Sequence, residues 1–141
     1  MSKYKYILSK YVRVPIPNYH IFLKAFNKRN TLKIAQDLGI PCPRTYFINS
    51  LQEVDSLSKS LEYPVVIKPQ ESCGTRGLKY VHSKDELVTE YEEVHAIYPF
   101  PLIQEYIPPG DDSYGFFTIF DAQNEPKAVF VHRRLREYPV T

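Results

Sequence analysis

Residues that could form covalent cross-links or metal sites are few in this sequence. The two cysteines, Cys42 and Cys73, have no metal-ligand spacing and form no redox motif. Because disulfides mark oxidising compartments, we expect both to be free thiols of an intracellular protein. The four histidines are scattered and form no zinc pattern. A disulfide scaffold and a zinc site are therefore not expected.

Long apolar runs are also lacking. The longest, such as YGFFTIF at 114–120, are far shorter than the ~20 residues that a membrane-spanning helix needs. The basic start, MSKYKYILSKYVRVPIP, has no sustained apolar core and does not resemble a signal peptide. We therefore expect a cytoplasmic protein with no membrane partner.

Neither sign of charge dominates. The formal net charge of +2 is too small to imply binding to nucleic acid or a membrane surface from charge alone. The 141 residues are 43% hydrophobic and 24% charged, which favours one folded domain over disorder. Twelve tyrosines suggest an RNA-binding α+β domain as an alternative, but no aromatic–glycine signature lies on a strand. We expect no nucleic-acid partner.

Three helices are predicted from their end signals. Asn27 is a candidate N-cap, and Gly39 is a natural stop for the helix that follows it. Ser-x-x-Glu capping boxes at 50–53 and 83–86 begin the other two. In each box the serine hydroxyl is predicted to cap a first-turn amide, and the glutamate to reach back to another. Residues 1–26 show little clear periodicity. The predicted apolar stripes are Leu32, Ala35 and Leu38; Leu51, Val54, Leu57 and Leu61; and Leu87, Tyr91 and Val94.

Short apolar runs between these helices predict strands. They are RTYFI (44–48), YPVVIK (63–68), LKYV (78–81) and PLIQEYI (101–107), then YGFFTIFD and KAVFVHRR joined by the turn AQNEP. The order helix, strand, helix, strand, strand, helix, strand, hairpin predicts an α+β layer followed by the opening strands of a second sheet.

The stretch PVVIKPQESCGTRGLKYV places Lys68 in an apolar strand, just before a loop that carries Gly74 and Gly77. A buried ammonium without a partner is costly, so this side chain should either extend to water or meet an anion. The two glycines allow the loop to turn several N–H groups toward phosphate oxygens. The alternative is a flexible hairpin loop beside a solvated lysine, because the loop is neither a Walker motif nor a dinucleotide fingerprint.

A second polar feature lies in LIQEYIPPGDDSY. The backbone of Glu105, Tyr106 and Ile107 could present donors and acceptors to a flat heterocycle. An acidic side chain beyond the Pro-Pro-Gly turn, Asp111 or Asp112, could accept hydrogen bonds from ribose hydroxyls. The alternative is a strand end followed by a solvated acidic turn.

Taken in order, NKRNTLKIAQDLGIPCPRT, YPVVIKP, the glycine loop and LIQEYIPPGDD resemble the ATP-grasp superfamily. The resemblance is strongest to domains similar to the carbamoyl-phosphate synthase large subunit and other carboxylate–amine ligases. It implies the α+β ATP-grasp fold: the N-terminal subdomain over 27–107 and the first strands of the C-terminal subdomain over 108–141. Residues 1–26 would be a lead-in segment, a candidate remnant of a preceding domain.

The resemblance also implies a nucleotide site. Lys28 matches an early basic residue that contacts the phosphates, and Lys68 matches a strand lysine that reaches the phosphates and approaches the adenine. Gly74, Thr75 and Gly77 match a loop that closes over the β- and γ-phosphates. Glu105, Tyr106 and Ile107 match a strand that holds the adenine edge. Asp112, in preference to Asp111, matches an acidic residue that binds the ribose.

Enzymes of this kind use ATP to phosphorylate a carboxylate, and an amine or similar nucleophile attacks the acyl phosphate. The implied partners are therefore ATP, Mg²⁺ and a small-molecule carboxylate. The family's magnesium ligands come late, in a strand similar to E-x-N, and none precedes RRLREYPVT here.

We therefore expect a fragment that does not catalyse ligation alone: a truncated reading frame, a proteolytic product or one part of a split enzyme. A non-catalytic nucleotide-binding or assembly module, completed by a partner chain, is the alternative. Unpaired strands at 114–134 also predict self-association.

Overall fold

The computed structural model describes residues 1–110 and 113–135. The chain divides into two compact units, Met1–Tyr106 and Ile107–Thr141, and each is described separately below. After a 3₁₀ turn at Ser2–Tyr4, the first unit has five helices in its described residues: α1 Lys5–Leu8, α2 Tyr19–Phe26, α3 Lys28–Asp37, α4 Leu51–Ser58 and α5 Lys84–Ile97. Its strands are β1 Thr45–Phe47, β2 Val65–Lys68, β3 Lys79–Val81 and β4 Leu102–Glu105.

The four strands form one antiparallel sheet in the order β1-β4-β2-β3. Helices α4 and α5 cover one face, which carries Ile67 and Ile103. Because side chains alternate along a strand, the neighbouring residues Lys68, Leu102 and Gln104 belong to the opposite face. The core under the helices comprises Ile48, Val54, Val65, Ile67, Val81, Leu87, Tyr91, Val94 and Ile103.

Helix α3 lies against the edge of this opposite face. The guanidinium of Arg29 is 5.5 Å from the centre of the Phe47 ring, and the ammonium of Lys33 is 5.4 Å from it. Arg29 also donates to the carbonyl of Ile48 at 3.0 Å. Cation–π contacts and this hydrogen bond therefore fix α3 to β1, with the helix N-terminus directed to the loop after β2.

The predicted start and stop of α3 are confirmed. Asn27 is the N-cap, and its side chain accepts a hydrogen bond from the N–H of Asn30 at 3.3 Å. Gly39 follows the helix with φ +67°, the left-handed conformation that glycine adopts readily. The predicted stripe was wrong at Leu38, which is 69% exposed because it lies beyond the last helical turn.

The two capping boxes form differently from the prediction. Glu53 accepts from the backbone N–H of Asn49 at 3.1 Å. Glu86 accepts from that of His82 at 3.2 Å, and this bond is the main cause that lowers its pKa. The serine hydroxyls donate to these same glutamates and cap no helix amide, so that part of the prediction was wrong.

Helices within residues 1–26 were not predicted. Helix α2 carries His20 and Lys24 one turn apart on one side and apolar side chains on the others, so an amphipathic pattern is present and was missed; none of its residues is buried. The Phe22 and Phe26 rings, one helical turn apart, stack at 5.0 Å between centroids and support the helix locally.

The second unit is a two-stranded antiparallel hairpin, β5 Ser113–Phe120 and β6 Pro126–Arg134. Asp121 closes its turn by accepting from the backbone N–H groups of Gln123 and Glu125 at 2.9 and 3.0 Å. Large apolar side chains stand on both of its faces and are more than half exposed, including Phe116, Phe117, Ile119, Phe120, Val129, Phe130 and Val131.

The predicted free thiols are confirmed for Cys42 and Cys73. Among the described residues, no helix is both long enough and apolar enough to cross a bilayer.

Alanine substitution of two isoleucines in the first unit should change the free energy of unfolding by different amounts, because one is buried and the other is exposed. Ile67 is 0% exposed, so Ile67→Ala should lower the free energy of unfolding by about 2–5 kcal/mol. Ile97→Ala, at a position that is 73% exposed, should change it by about 0.5 kcal/mol or less. Urea unfolding of both variants measures this, and equal losses would place the core elsewhere.

Candidate functional site

Lys68 is the last residue of β2, on the sheet face opposite to α4 and α5. Its ammonium donates to Oε1 of Gln104 at 2.6 Å. Burial is the main cause that lowers the pKa of Lys68, and the charge of Lys28 lowers it further. The side chain is half-buried, and in the described residues it forms no ion pair with a carboxylate. Its hydrogen-bond partner among the described residues is thus a neutral amide, and the predicted contact with an anion stays a prediction.

Lys28 lies at the first position of α3 and contacts the loop between β2 and β3. Its ammonium donates to the backbone carbonyl of Ser72 at 3.2 Å and to the Ser72 hydroxyl at 3.3 Å. Its backbone N–H donates to the carbonyl of Gln70 at 2.9 Å. The side chain of Asn27 adds bonds to Gln70 and Glu71 at 3.2 and 3.0 Å. These contacts hold the N-terminus of α3 against the loop and keep two ammonium groups near each other.

The glycines of this loop have different surroundings. Gly74 has φ +63° and nothing within 4 Å of the position a Cβ would take. Gly77 has φ +72°, and a Cβ there would lie 2.5 Å from the Tyr98 ring and 2.7 Å from Pro69. The loop is therefore fixed at Gly77 and open at Gly74, with Thr75 between them accepting from the N–H of Leu78 at 3.1 Å.

At the end of β4, the carboxylate of Glu105 is engaged by Arg44. It accepts from the backbone N–H and from Nε of Arg44, both at 2.8 Å, and these bonds lower its pKa. Arg44 also pairs with Glu62. The backbone N–H of Glu105 also donates to the carbonyl of Arg44 at 2.9 Å, so both the side chain and this N–H have a protein partner, and the adenine contact stays a prediction.

The remaining predicted residues follow β4. The N–H of Tyr106 donates to the carbonyl of Pro64 at 3.4 Å, and its ring meets the edge of Tyr80 with centroids 5.7 Å apart. Ile107 begins the second unit and is 59% exposed. Asp111 and Asp112 lie outside the described residues, so the ribose contact stays a prediction.

Two residues of the site were missed by sequence reasoning. Gln104 is 5% exposed, and its amide Nε2 donates to the hydroxyl of Thr45 at 2.8 Å. The signal was present, because LIQEYI places one uncharged polar residue among apolar residues of a strand. A buried amide needs partners, and the residue types alone do not say which ones.

A family model described as the ATP-grasp domain matches residues 25–130. The chain therefore belongs to the ATP-grasp family, as the resemblance implied, and its fold is the α+β fold of that family. It is 32% identical over 87 residues to the carbamoyl phosphate synthase large chain of Pyrococcus furiosus, covering 60% of this chain and 8% of that protein. It is 35% identical over 104 residues to the α-aminoadipate–LysW ligase LysX of Sulfurisphaera tokodaii, covering 70% of this chain and 36% of that protein.

Among solved structures, biotin carboxylase from Campylobacter jejuni aligns with a TM-score of 0.75 at 17% identity, over 87% of this chain and 29% of that one. This likeness shows the fold. The chain thus spans only about a third or less of the length of each of these proteins.

The two loop glycines form a matched pair for mutation. Both alanine variants must hold a left-handed φ, which costs about 1–2 kcal/mol. Gly77→Ala must also displace the Tyr98 ring or Pro69, adding about 1–3 kcal/mol, whereas Gly74→Ala meets no atom. Denaturant unfolding should therefore rank Gly77→Ala as the less stable variant. The reverse order would mean that the loop is not anchored at Gly77.

Proposed function

We propose that this chain is the ATP-binding portion of an ATP-dependent carboxylate–amine ligase. One observation carries the proposal: the ammonium groups of Lys28 and Lys68 lie beside a glycine loop, and neither is neutralised by a carboxylate in the described residues. Two like charges brought together in this way raise each other's energy unless an anion joins them. A polyphosphate supplies that anion.

The proposed chemistry needs positioning more than reactive side chains. In phosphoryl transfer the protein holds the phosphates and neutralises the charge that develops on them. Lys28 and Lys68 would supply the positive charge, and Gly74, Thr75 and Gly77 would supply backbone donors from the loop. The terminal phosphoryl group would pass to a carboxylate substrate, whose acyl phosphate an amine attacks.

The proposal assigns no magnesium ligand to the described residues. Among residues 1–110 and 113–135, no group of three His, Cys, Asp or Glu side chains is placed to hold a metal ion. The described residues do not fit a magnesium site, so no step is assigned to Mg²⁺ on them.

The substrate is proposed by class only. The identity to the carbamoyl phosphate synthase large chain supports a reaction of that kind. The chain is also similar, over more of its length, to a ligase named for α-aminoadipate and LysW. That similarity supports an amino-acid substrate equally well. What these ligases share is a small carboxylate activated by ATP, and we propose that shared class.

A non-catalytic nucleotide-binding or assembly module, completed by a partner chain, is the second candidate function. The lack of a metal-ligand cluster in the described residues favours it. Adding candidate partner polypeptides and measuring carboxylate-dependent ADP release would separate the two functions.

The other assignments also remain proposals. They are adenine contacts from the backbone of Glu105, Tyr106 and Ile107, a ribose contact from Asp112, subdomain limits at 27–107 and 108–141, and a cytoplasmic location without nucleic-acid or membrane partners.

Equilibrium dialysis with labelled ATP tests nucleotide binding. Lys68→Ala and Lys28→Ala should each raise the dissociation constant about tenfold or more, because each removes a charged hydrogen-bond donor from the phosphates. GTP should compete poorly if the end of β4 reads the adenine edge.

Lys59→Ala is the matched control, since Lys59 is an exposed lysine at the C-cap of α4 that pairs with Asp55 at 2.9 Å. It should bind ATP as the unaltered chain does. Equal loss in all three variants, or no saturable binding at millimolar ATP, would contradict the proposed site in this chain.

Self-association is proposed through the β5–β6 hairpin, with a second copy of the chain as the occupant. Two strands with apolar side chains in water on both faces are marginally stable at best, and pairing with another hairpin would cover them. Sedimentation should show a mass that rises with concentration, and Phe116→Asp with Phe130→Asp should lower it. A single monomeric species over a wide concentration range would contradict this.

A further inference from the structure

A continuous line of hydrogen bonds runs under the Lys68 ammonium. Nζ of Lys68 donates to Oε1 of Gln104 at 2.6 Å, and Nε2 of Gln104 donates to Oγ1 of Thr45 at 2.8 Å. The Thr45 hydroxyl in turn donates to the carbonyl of Pro43 at 2.8 Å. Thr45 and Gln104 are direct cross-strand partners on β1 and β4, so the backbone register holds the line together.

This line leaves the Gln104 amide with one orientation. The only proton of the Thr45 hydroxyl goes to Pro43, so its oxygen can only accept from the amide. The NH₂ group of Gln104 must therefore face Thr45, and its carbonyl oxygen must face Lys68. Because Gln104 is nearly fully buried, water cannot substitute for either partner without opening the strand pair.

A neutral partner has a consequence that a carboxylate would not have. Gln104 fixes the direction of the ammonium but leaves its full positive charge, whereas a glutamate at the same place would form an ion pair and cancel it. The nearby charge of Lys28 acts on the same ammonium, so the pair stays electropositive. The arrangement holds a cation in place and keeps it available to an incoming anion.

We propose that Gln104 is a positioning residue for nucleotide binding, oriented by Thr45, which aims the Lys68 ammonium at a phosphate group while leaving its charge uncancelled. This inference rests on the proposed ATP-binding function. Thr45 acts one step further away, by preventing rotation of the Gln104 amide.

The first test needs no nucleotide. NMR of the labelled lysine side chain measures the pKa of Lys68 in three proteins. They are the unaltered chain, the Gln104→Glu variant and the control variant Gln52→Glu. Gln104→Glu should raise the pKa of Lys68 by about 1 unit or more, because an opposite charge replaces a neutral acceptor. Gln52→Glu adds the same charge at an exposed position of α4 and should leave that pKa unchanged.

The second test measures ATP binding by dialysis. Gln104→Glu should weaken ATP binding about tenfold although it adds a hydrogen-bond acceptor for Lys68, since it cancels the charge that the phosphate needs. Thr45→Val removes the hydroxyl, so it should weaken ATP binding and shift the pKa of Lys68. Thr45→Ser retains the hydroxyl. Its dissociation constant should stay within about twofold of the unaltered chain, and its Lys68 pKa within a few tenths of a unit.

The outcomes separate the two proposals. If Thr45→Val lowers stability but changes neither the Lys68 pKa nor the ATP dissociation constant, Gln104 and Thr45 are structural residues and the inference is wrong. Unchanged or tighter ATP binding by Gln104→Glu would also overturn it. If the pKa shifts occur as expected while no form binds ATP, the hydrogen-bond line is right and the proposed ATP-binding function fails.

Discussion

The site depends on one constraint, which is the placement of an ammonium group on a half-buried sheet face. Removing Lys68 from water disfavours its charged form, and Lys28 disfavours it further. The fold offsets this with the Gln104 carbonyl, which satisfies a hydrogen bond without supplying a negative charge. Lys28 holds the loop after β2 at the N-terminus of α3, and Gln104 connects Lys68 to Thr45 on the edge strand β1.

The two faces of the sheet in the first unit have different roles: one forms the core and the other carries the candidate site. One face is sealed by α4 and α5 over aliphatic side chains, which provides the rigidity that a binding site needs. The other face mixes the polar residues Lys68 and Gln104 with buried apolar residues such as Leu102, and a one-residue slip of β4 would exchange Gln104 with the core residue Ile103. Correct pairing of β1, β4 and β2 is therefore a requirement for the site as well as for the core.

Local signals in the sequence predicted most of the elements, because caps, glycine stops and apolar alternation act within a few residues. Lys68 and the glycine loop were found for the same reason. Gln104 and Thr45 were missed as partners, since they meet across strands 59 residues apart in sequence. The α2 helix was missed although His20 and Lys24, one turn apart, mark a polar side on it. Serine capping was wrong, because the hydroxyls of Ser50 and Ser83 donate to the glutamates of their own boxes and accept from no helix amide.

Chemical footprinting measures directly whether the Lys68 ammonium meets the phosphates of a bound nucleotide. An acylating reagent modifies the lysine amine where it can reach it, and mass spectrometry reports the extent at each lysine. We expect ATP to protect Lys68 from acylation, adenosine at the same concentration to give no protection, and neither compound to affect the labelling of Lys59. Equal labelling of Lys68 with and without ATP would contradict the claim that its ammonium meets the nucleotide phosphates.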